Sequence, residues 1–450
     1  MLELPDKRHF PAHRVLFFCI LLACPSVQAE TPHPLLQNNQ YFDAQAVSTP
    51  AGDTLIRTII NGPPSPPPGF ELQRTVVSSL PKPDIQAGIN ILNTPAFSWS
   101  FGCSATSAAM IAGYYDRTGY NNMYTGPTNG GIMPLDNSSW PSWTDSYGDT
   151  RAQCPLSATH NGLDNRTTRG HVDDYWIGYG ASGPDPWSTN GWLEHTKGEC
   201  TADYMNTNQW VNPVDGWNTD GSTVFYHYAD SQKFNCADYV TFPYDTRGDL
   251  GIKKFYESRG YTVTECYTQH TDNSVTGGFS FADYKAEIDA GRPVMFHVTG
   301  HTMVGVGYDD SSNLMYIHDT WDYSTHTMTW GGSYSGMTQY AVTIVKLTPN
   351  SSTLTINSLG AAGVGITGNP ATYSGITNYS KPGITSGTTI ILTAPATANN
   401  LPFTGWHGCN STVDKDCTVT MTTDKIVTAR YGSQNSFPWI IFVPAILNKP

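Results

Sequence analysis

The nine cysteines of this chain constrain its fold more than any other feature of the sequence. They are Cys19, Cys24, Cys103, Cys154, Cys200, Cys236, Cys266, Cys409 and Cys417. The first two fall in an apolar run, Val15–Cys24, which follows basic residues and precedes a small-residue cleavage pattern that ends at Ala29. This is the layout of a secretory signal peptide. We therefore expect residues 1–29 to be removed and the mature protein to be secreted, to the extracellular space, the cell surface or the periplasm.

Seven cysteines remain after that removal, in a compartment where thiols tend to pair. An odd number leaves at least one cysteine without an intramolecular partner. We expect Cys103 to be this single thiol and the other six to form three disulfides.

Charged residues make up only 14% of the chain, against roughly 25% in an average soluble domain. With 42 Gly, 31 Pro and 12% aromatic residues, this composition is typical of a loop-rich, β-containing globular protein. The 24 basic and 37 acidic residues give a net charge of −13 without a basic run. Nucleic acid is therefore excluded as a partner. Beyond the N-terminus no apolar stretch reaches the length of about 18 residues that predicts a membrane-spanning helix.

Composition divides the mature chain into four parts. These are a Pro-rich spacer or pro-segment (30–85), a mixed domain (86–348), a small all-β domain (353–431) and an apolar tail (432–450). Within the first part, Gly62–Gly69 favours extended polyproline geometry, because its prolines lack N–H donors. The β-forming residues of Thr54–Ile60 predict a short strand before it.

Periodicity and turn residues predict an α+β fold, with helices early in the mixed domain and an antiparallel sheet late. The predicted helices are Ser104–Tyr115, Asp249–Arg259 and Phe281–Ala290, and the predicted strands are Pro293–Val298, His301–Tyr308, Leu314–His318 and Ala341–Lys346. In the all-β domain the predicted strands are Leu354–Leu359, Thr388–Ala394, Cys417–Met421 and Lys425–Arg430. The long aromatic stretch 116–244 has no clear period.

Cys103 stands where the first predicted helix begins. Free N–H groups and the positive end of the helix dipole favour a thiolate at this position. A thiolate attacks a carbonyl carbon far better than a thiol does, and the N–H of Cys103 can also help to bind an oxyanion. The position therefore predicts a nucleophile.

His301 begins a predicted strand, and Asp319 follows the neighbouring strand. Adjacent antiparallel strands can place Asp319 beside His301, where the carboxylate would fix the imidazole tautomer. His297 is a weaker alternative base. His318 is a poorer one, because its sequence neighbour Asp319 points to the opposite face of the strand.

Several of these segments resemble bacterial C39-like peptidases of the papain-like superfamily. Gly102–Asp116 resembles their nucleophile segment, and the later segments Gly291–Val294, Gly300–His301, Val304–Asp309 and His318–Asp319 resemble their His and Asp segments. The resemblance implies a papain-like domain over about residues 90–348. It also implies Cys103 as nucleophile, His301 as general base and acid, and Asp319 as the residue that orients the imidazole.

Papain-like enzymes usually have a Gln shortly before the nucleophile, which donates to the oxyanion. This chain has Phe97 at the corresponding position. The candidate side-chain donors are therefore Ser98, Trp99 and Ser100.

Residues 404–431 resemble a bacterial surface β-repeat. The resemblance implies a disulfide between Cys409 and Cys417 and a role in adhesion or display, with a cell-surface polymer as a partner. The remaining Cys154, Cys200, Cys236 and Cys266 allow three pairings, between which the sequence does not choose.

We expect an exported cysteine peptidase that hydrolyses a peptide or protein substrate through an acyl-enzyme, without a cofactor. One alternative is transglutaminase-like acyl transfer by the same residues. Another is a non-catalytic surface-binding protein. No metal site is predicted, because His171, Asp173 and Asp174 have no second ligand set at a defined spacing.

Overall fold

The structure, a computed structural model, describes residues 38–70, 73–144, 148, 150–159, 200–208, 221–239, 247–348, 351–385, 388–421 and 423–432. The predicted signal peptide, the apolar tail beyond residue 432 and the discounted residues His171, Asp173 and Asp174 lie outside them. None of the described helices combines the length and the apolar character needed to cross a membrane.

The described residues form a mixed α/β structure with few helices and many strands. The α-helices are α1 (Cys103–Arg117), α2 (Thr201–Met205), α3 (Gly248–Ser258) and α4 (Phe281–Asp289). The strands before residue 350 are β1 (Phe42–Ser48), β2 (Thr54–Ile60), β3 (Thr75–Val76), β4 (Ile89–Ile91), β5 (Trp143–Thr144), β6 (Thr150–Arg151), β7 (Thr223–Tyr228), β8 (Phe234–Asn235), β9 (Val263–His270), β10 (Val294–Val298), β11 (His301–Asp309), β12 (Leu314–His318), β13 (His326–Thr329), β14 (Ser333–Tyr334) and β15 (Met337–Leu347).

A central antiparallel sheet carries most of these strands, in the order β3-β13-β12-β11-β10-β15-β9-β8. Helix α1 is buried from Cys103 to Asp116 and belongs to the same apolar cluster as residues of β10, β11 and β15. Nearly half of its residues are Ala, Ser or Gly, so the helix can approach the sheet closely. The close approach places the N-terminus of α1 next to the start of β11.

Local sequence signals place the ends of the helices well. Helix α1 begins one residue before and ends two residues after the predicted range. Helix α4 begins with a capping box, in which the side chains of Ser280 and Asp283 each bond the other residue's main-chain N–H. Helix α3 is followed by Gly260 at φ 86°, as a left-handed C-terminal cap requires.

The segment predicted as a spacer or pro-segment contributes to the fold. Strands β1 and β2 form a hairpin that pairs with β7 in a three-stranded sheet, and β2 has the bounds predicted from its β-forming residues. Phe42, Ile56 and Ile60 lie in the large apolar cluster that includes α1. The chain then runs from the end of β2 across the N-terminus of α1.

Two disulfides join the described cysteines, Cys236–Cys266 and Cys409–Cys417. The expectation of three disulfides is wrong for the described residues, which hold two. Cys154 and Cys200 are both buried in the apolar cluster around α1. A cysteine in such a place packs as a small apolar side chain.

The chain after residue 350 forms two five-stranded sheets around a separate apolar cluster. The strands are β16 (Ser351–Leu359), β17 (Gly365–Asn369), β18 (Gly375–Ile376), β19 (Tyr379–Thr385), β20 (Thr389–Thr393), β21 (Thr397–Ala398), β22 (Leu401–His407), β23 (Ser411–Val413), β24 (Asp416–Thr420) and β25 (Lys425–Tyr431). Alternating burial, as in β24, explains why the sequence predicts strands here.

Candidate active site

A tight turn precedes Cys103, which is the first residue of α1. Phe101 has φ 55° and Gly102 has φ 125°, so the chain reverses just before the helix. A Cβ on Gly102 would lie 2.8 Å from the carbonyl oxygen of Gly221 and 2.9 Å from Thr207. Both the backbone angle and the close approach require glycine. The turn leaves Cys103 as the first residue of the helix.

The sulfur of Cys103 and the imidazole of His301 lie side by side. A Cβ on Gly62 would be 2.5 Å from Cys103 Sγ and 2.2 Å from His301 Nδ1, so both atoms face the same point. Both residues are fully buried. The structure therefore brings the predicted nucleophile and the predicted base together, with Gly62 directly over them.

The surroundings of Cys103 favour the thiolate. Burial is the largest single effect and raises the pKa of the Cys103 thiol, while the charge and hydrogen bond of His301 lower it. Main-chain hydrogen bonds from Thr302 and Gly62 act in the same direction, and the pKa falls below its ordinary value. An imidazole and N–H groups around a sulfur have this effect because they stabilise its negative charge.

The second ring nitrogen of His301 faces main-chain and hydroxyl oxygens. Nε2 lies 2.8 Å from the carbonyl oxygen of Asp319 and 3.1 Å from the hydroxyl of Thr320. A carbonyl only accepts hydrogen bonds, so the proton of a neutral imidazole is on Nε2 and the lone pair on Nδ1 faces Cys103. The indole of Trp321 stacks on the imidazole, with ring centroids 4.2 Å apart.

The carboxylate of Asp319 makes no hydrogen bond to His301. It accepts from Arg74 Nε at 2.7 Å, from the Tyr334 hydroxyl at 2.7 Å and from the main-chain N–H of Trp321 at 3.0 Å. This differs from the expected contact between carboxylate and imidazole. Arg74 arrives from the Pro-rich part of the chain and draws the buried carboxylate to itself, so Asp319 contacts the imidazole through its main chain.

The two alternative histidines are both engaged elsewhere. The ring of His297 bonds the hydroxyls of Thr302 at 3.0 Å and Thr343 at 2.8 Å, and burial lowers its pKa to about 3. His318 bonds a main-chain carbonyl at 3.0 Å and a threonine hydroxyl at 3.1 Å, and burial lowers its pKa to about 4. All four ring nitrogens of these two histidines bond groups other than Cys103.

Thr302 joins the helix to the strand and was not predicted from the sequence. Its hydroxyl lies 2.7 Å from the hydroxyl of Ser104, and its carbonyl accepts from Ser107 at 3.1 Å. These bonds fix α1 against the first residues of β11, where His301 stands. A signal was present in the hydroxyl residues of the helix, since Ser and Thr buried in a core need partners.

The three candidate oxyanion donors differ in where their groups point. The indole N–H of Trp99 donates to the carbonyl oxygen of Gly62 at 3.1 Å, beside the Cys103–His301 pair. The hydroxyl of Ser100 is directed at two main-chain carbonyls, at 3.0 and 3.2 Å. Ser98 bonds Asn137 through its main chain. Of the three candidates, only Trp99 directs a side-chain donor toward the chain above Cys103.

An acidic cluster next to the site is held by an arginine. In this cluster a carboxylate oxygen of Asp319, a carboxylate oxygen of Asp322 and a ring nitrogen of His326 all lie within 4.8 Å of one another. The guanidinium of Arg74 lies among them and contacts Asp322 at 2.5 Å. Burial opposes the ionisation of Asp322, but His326 and Arg74 outweigh it and hold the pKa of that carboxyl well below its usual range. Both carboxylates of the cluster thus form ion pairs with Arg74.

Together the fold and the site define a mixed α/β protein in which a helix-start cysteine meets a strand histidine. The sequence model of the Peptidase_C39 like family matches residues 91–342, which run from β4 to β15 and include both residues. This match covers more than half of the chain, and the chain belongs to the Peptidase_C39-like family. A comparison with curated proteins found no match.

Proposed function

We propose that the protein is an exported cysteine peptidase with Cys103 as nucleophile and His301 as general base and acid. The observation that carries this proposal is the buried contact between Cys103 Sγ and His301 Nδ1. The bonds of Nε2 to Asp319 and Thr320 support it, because they leave the reactive nitrogen facing the sulfur. Family membership supports the same chemistry.

The site can carry out both halves of peptide hydrolysis. Nδ1 of His301 first accepts the thiol proton of Cys103. The resulting thiolate attacks the peptide carbonyl carbon, and the N–H of Cys103 together with the indole N–H of Trp99 stabilises the resulting oxyanion. Nδ1 of His301 then gives its proton to the leaving amine, which produces an acyl-enzyme. Water attacks the thioester while Nδ1 accepts a proton, and the acid product leaves with the thiolate restored.

The rest of the chain fits an enzyme that works outside the cell. Helix α1 followed by the late antiparallel sheet supports a papain-like domain over 86–348. Two disulfides and the predicted signal peptide support export. We assign the sheets after residue 350 to attachment at the cell surface, where a surface polymer is the partner.

The first prediction concerns the nucleophile. In the Gly62→Ala protein, whose added Cβ has no room beside Cys103 and His301, replacing Cys103→Ala removes the sulfur that forms the acyl-enzyme, so hydrolysis of a fluorescein-labelled casein should fall to background. Circular dichroism should stay unchanged, because Ala fits a buried helix start. Cys154→Ala is the matched control, since it replaces another buried cysteine, outside the contact with His301, and it should keep its activity.

Full hydrolysis by the Cys103→Ala variant would end this proposal. An added primary amine separates hydrolysis from acyl transfer. A peptidase releases free carboxylic acid, whereas a transferase gives an amide of the added amine as its main product. Unreactive Cys103 and no turnover of any peptide in a folded Gly62→Ala protein, where the added Cβ leaves no room for residue 62 over the pair, would favour a binding protein instead.

A further inference from the structure

Residues 61–67, here called the cleft segment, cover the Cys103–His301 pair. The carbonyl of Gly62 accepts from the indole N–H of Trp99 at 3.1 Å, and the carbonyl of the next residue, Pro63, accepts from the indole N–H of Trp321 at 2.8 Å. Two consecutive peptide carbonyls are therefore held by donors from two separate parts of the fold, one before α1 and one after β12.

The fit over the reactive atoms excludes a side chain. A Cβ on Gly62 would lie 2.2 Å from Nδ1 of His301, 2.5 Å from Sγ and 3.0 Å from Cβ of Cys103. Atoms do not approach so closely, and neither partner is the end of a long flexible side chain. Gly62 thus occupies the place where a bound peptide would meet the nucleophile.

The cleft segment is held on both sides of the site. Upstream, the N–H of Asn61 donates to the carbonyl of Tyr41 at 2.9 Å, directly after β2 ends. Downstream, the ring of Phe70 packs over Gly336, and Arg74 bonds Asp319. These anchors explain why a Pro-rich stretch without ladder hydrogen bonds keeps a defined course.

The burial of the reactive pair shows that the cleft segment blocks access from solvent to Cys103. Cys103 and His301 have no exposed surface, and Trp99 and Trp321 are at most 8% exposed. Gly62, Pro63 and Pro67 are themselves buried, while Ser65 between them is exposed. No substrate carbonyl can reach the sulfur while the segment stays in place.

We propose that the cleft segment occupies the peptide-binding cleft in place of substrate, and that Trp99 and Trp321 are the residues that bind the main-chain carbonyls of an extended peptide. The identification of the substrate as a peptide rests on the peptidase function proposed above. Main-chain carbonyls held by fixed N–H donors are a general way to bind extended peptides. The full chain is accordingly self-blocked, and turnover requires that residues 61–67 leave the cleft.

The test measures access to Cys103 in the full chain. Gly62→Ala adds one Cβ where there is no room, so it should drive the cleft segment out, and Gly62 has no left-handed backbone angle that Ala would strain. The alkylation rate of Cys103 by iodoacetamide, read from its peptide by mass spectrometry, should rise by about ten-fold or more. Gly365→Ala is the matched control, because a Cβ there meets nothing within 4 Å, and it should leave the rate unchanged.

A second variant keeps the proposal testable if Gly62→Ala does not fold. In the full chain, Trp321→Phe removes the indole N–H that holds the Pro63 carbonyl, adds no atom over the reactive pair and keeps a ring stacked on His301. It should loosen the cleft segment and raise the alkylation rate of Cys103, whereas Trp330→Phe, which removes an indole N–H bonded to Asp272, should leave that rate unchanged. Equal rates in the two variants would overturn the proposal.

The tryptophans are tested with a peptide supplied in trans. A synthetic peptide with the sequence of residues 58–68 should protect Cys103 of the Gly62→Ala variant from alkylation, and the same peptide with Ala at position 62 should not. Adding Trp321→Phe removes the indole N–H but keeps the stacked ring, and it should raise the protecting concentration by about ten-fold. Trp99→Phe should act in the same way. An unchanged protecting concentration in both would remove the carbonyl-binding role.

These readouts separate this proposal from the peptidase proposal. If alkylation and protection respond as expected and no variant hydrolyses peptide, the cleft stands and the peptidase proposal fails. If the unaltered full chain hydrolyses peptide and its Cys103 reacts as fast as that of Gly62→Ala, the peptidase stands and the blocked cleft is wrong.

Discussion

The chemistry of Cys103 depends on contacts that oppose one another. A fully buried thiol would resist ionisation, but the adjacent His301 and the N–H groups of Thr302 and Gly62 reverse this effect. His301 in turn is held by the carbonyl of Asp319 and by the stacked ring of Trp321. At the scale of single residues, contacts to His301 and to main-chain N–H groups lower the pKa of a thiol that lies inside an apolar cluster.

The imidazole should therefore control the ionisation of the sulfur. His301→Ala leaves burial without its main opposing contact, so we expect the pKa of Cys103 to rise above the ordinary thiol value of 9.0. The ultraviolet absorbance of the thiolate, taken as the difference from a Cys103→Ala protein across a pH series, measures this. His407→Ala, at an exposed site in the C-terminal sheets, should leave the midpoint where it is. A midpoint in His301→Ala no higher than in the unaltered protein would contradict the assignment of His301.

At the scale of elements, α1 and β11 work as one unit. Thr302 bonds Ser104 and Ser107 on the helix and also faces His297 on β10, so three elements meet at one hydroxyl residue. The distance between helix start and strand start fixes the distance between sulfur and imidazole. A loss of this junction should affect stability first and catalysis with it.

Thr302→Val tests the junction. Val keeps the shape but leaves the Ser104 hydroxyl and a His297 nitrogen buried with one partner fewer, so the free energy of unfolding should fall by about 1–3 kcal/mol. Urea unfolding followed by circular dichroism measures the change. Thr389→Val, at an exposed threonine of β20, is the control and should shift the midpoint little. A loss no larger than that of the control would mean that the junction contributes nothing to stability.

Signals confined to a few neighbouring residues could be read from the sequence. The capping residues of α4, the glycine after α3 and the β-forming runs of β2 and β12 each predict their own element. The placement of Cys103 at a helix start belongs to the same class of signal, because it depends on the residues beside it.

Contacts between distant segments could not be read in that way. Arg74 and Gly62 lie in a Pro-rich stretch whose composition predicts only extended chain, and nothing near them in sequence indicates Asp319 or Cys103. The hydrogen bonds of the Asp319 carboxylate depend on Arg74, so the sequence did not indicate them either. The burial of Cys154 and Cys200 around α1 was hidden for the same reason, because counting cysteines does not show where they pack.

At the scale of the whole molecule, the protein buries several neutral histidines. Burial lowers the pKa of His297 to about 3 and of His318 to about 4, and that of His227 well below its ordinary value. The unfolded chain exposes these rings, and there they titrate near 6.5. The unfolded state therefore binds more protons than the folded state once the pH falls below that value.

We expect stability to fall with acidification from about pH 6.5 toward pH 4. Each buried histidine contributes about 1.4 kcal/mol per pH unit within that window, and nothing above it, where both states are neutral. Urea midpoints across a pH series measure the slope. His318→Asn removes one titrating ring and should reduce the slope by one proton. An identical slope in that variant would show that His318 is not a buried neutral ring.

The acceptor that orients His301 is the main-chain carbonyl of Asp319. Every amino acid carries that oxygen, so alanine scanning at position 319 would leave the imidazole's acceptor in place and disturb Arg74, Tyr334 and Trp321 instead. A mild phenotype there would say little about whether the imidazole needs an acceptor. Only a change to the main chain between residues 318 and 321 alters the group that sets the tautomer. Examples are a deletion, which moves this carbonyl, and an ester in place of the amide, which makes it a weaker acceptor.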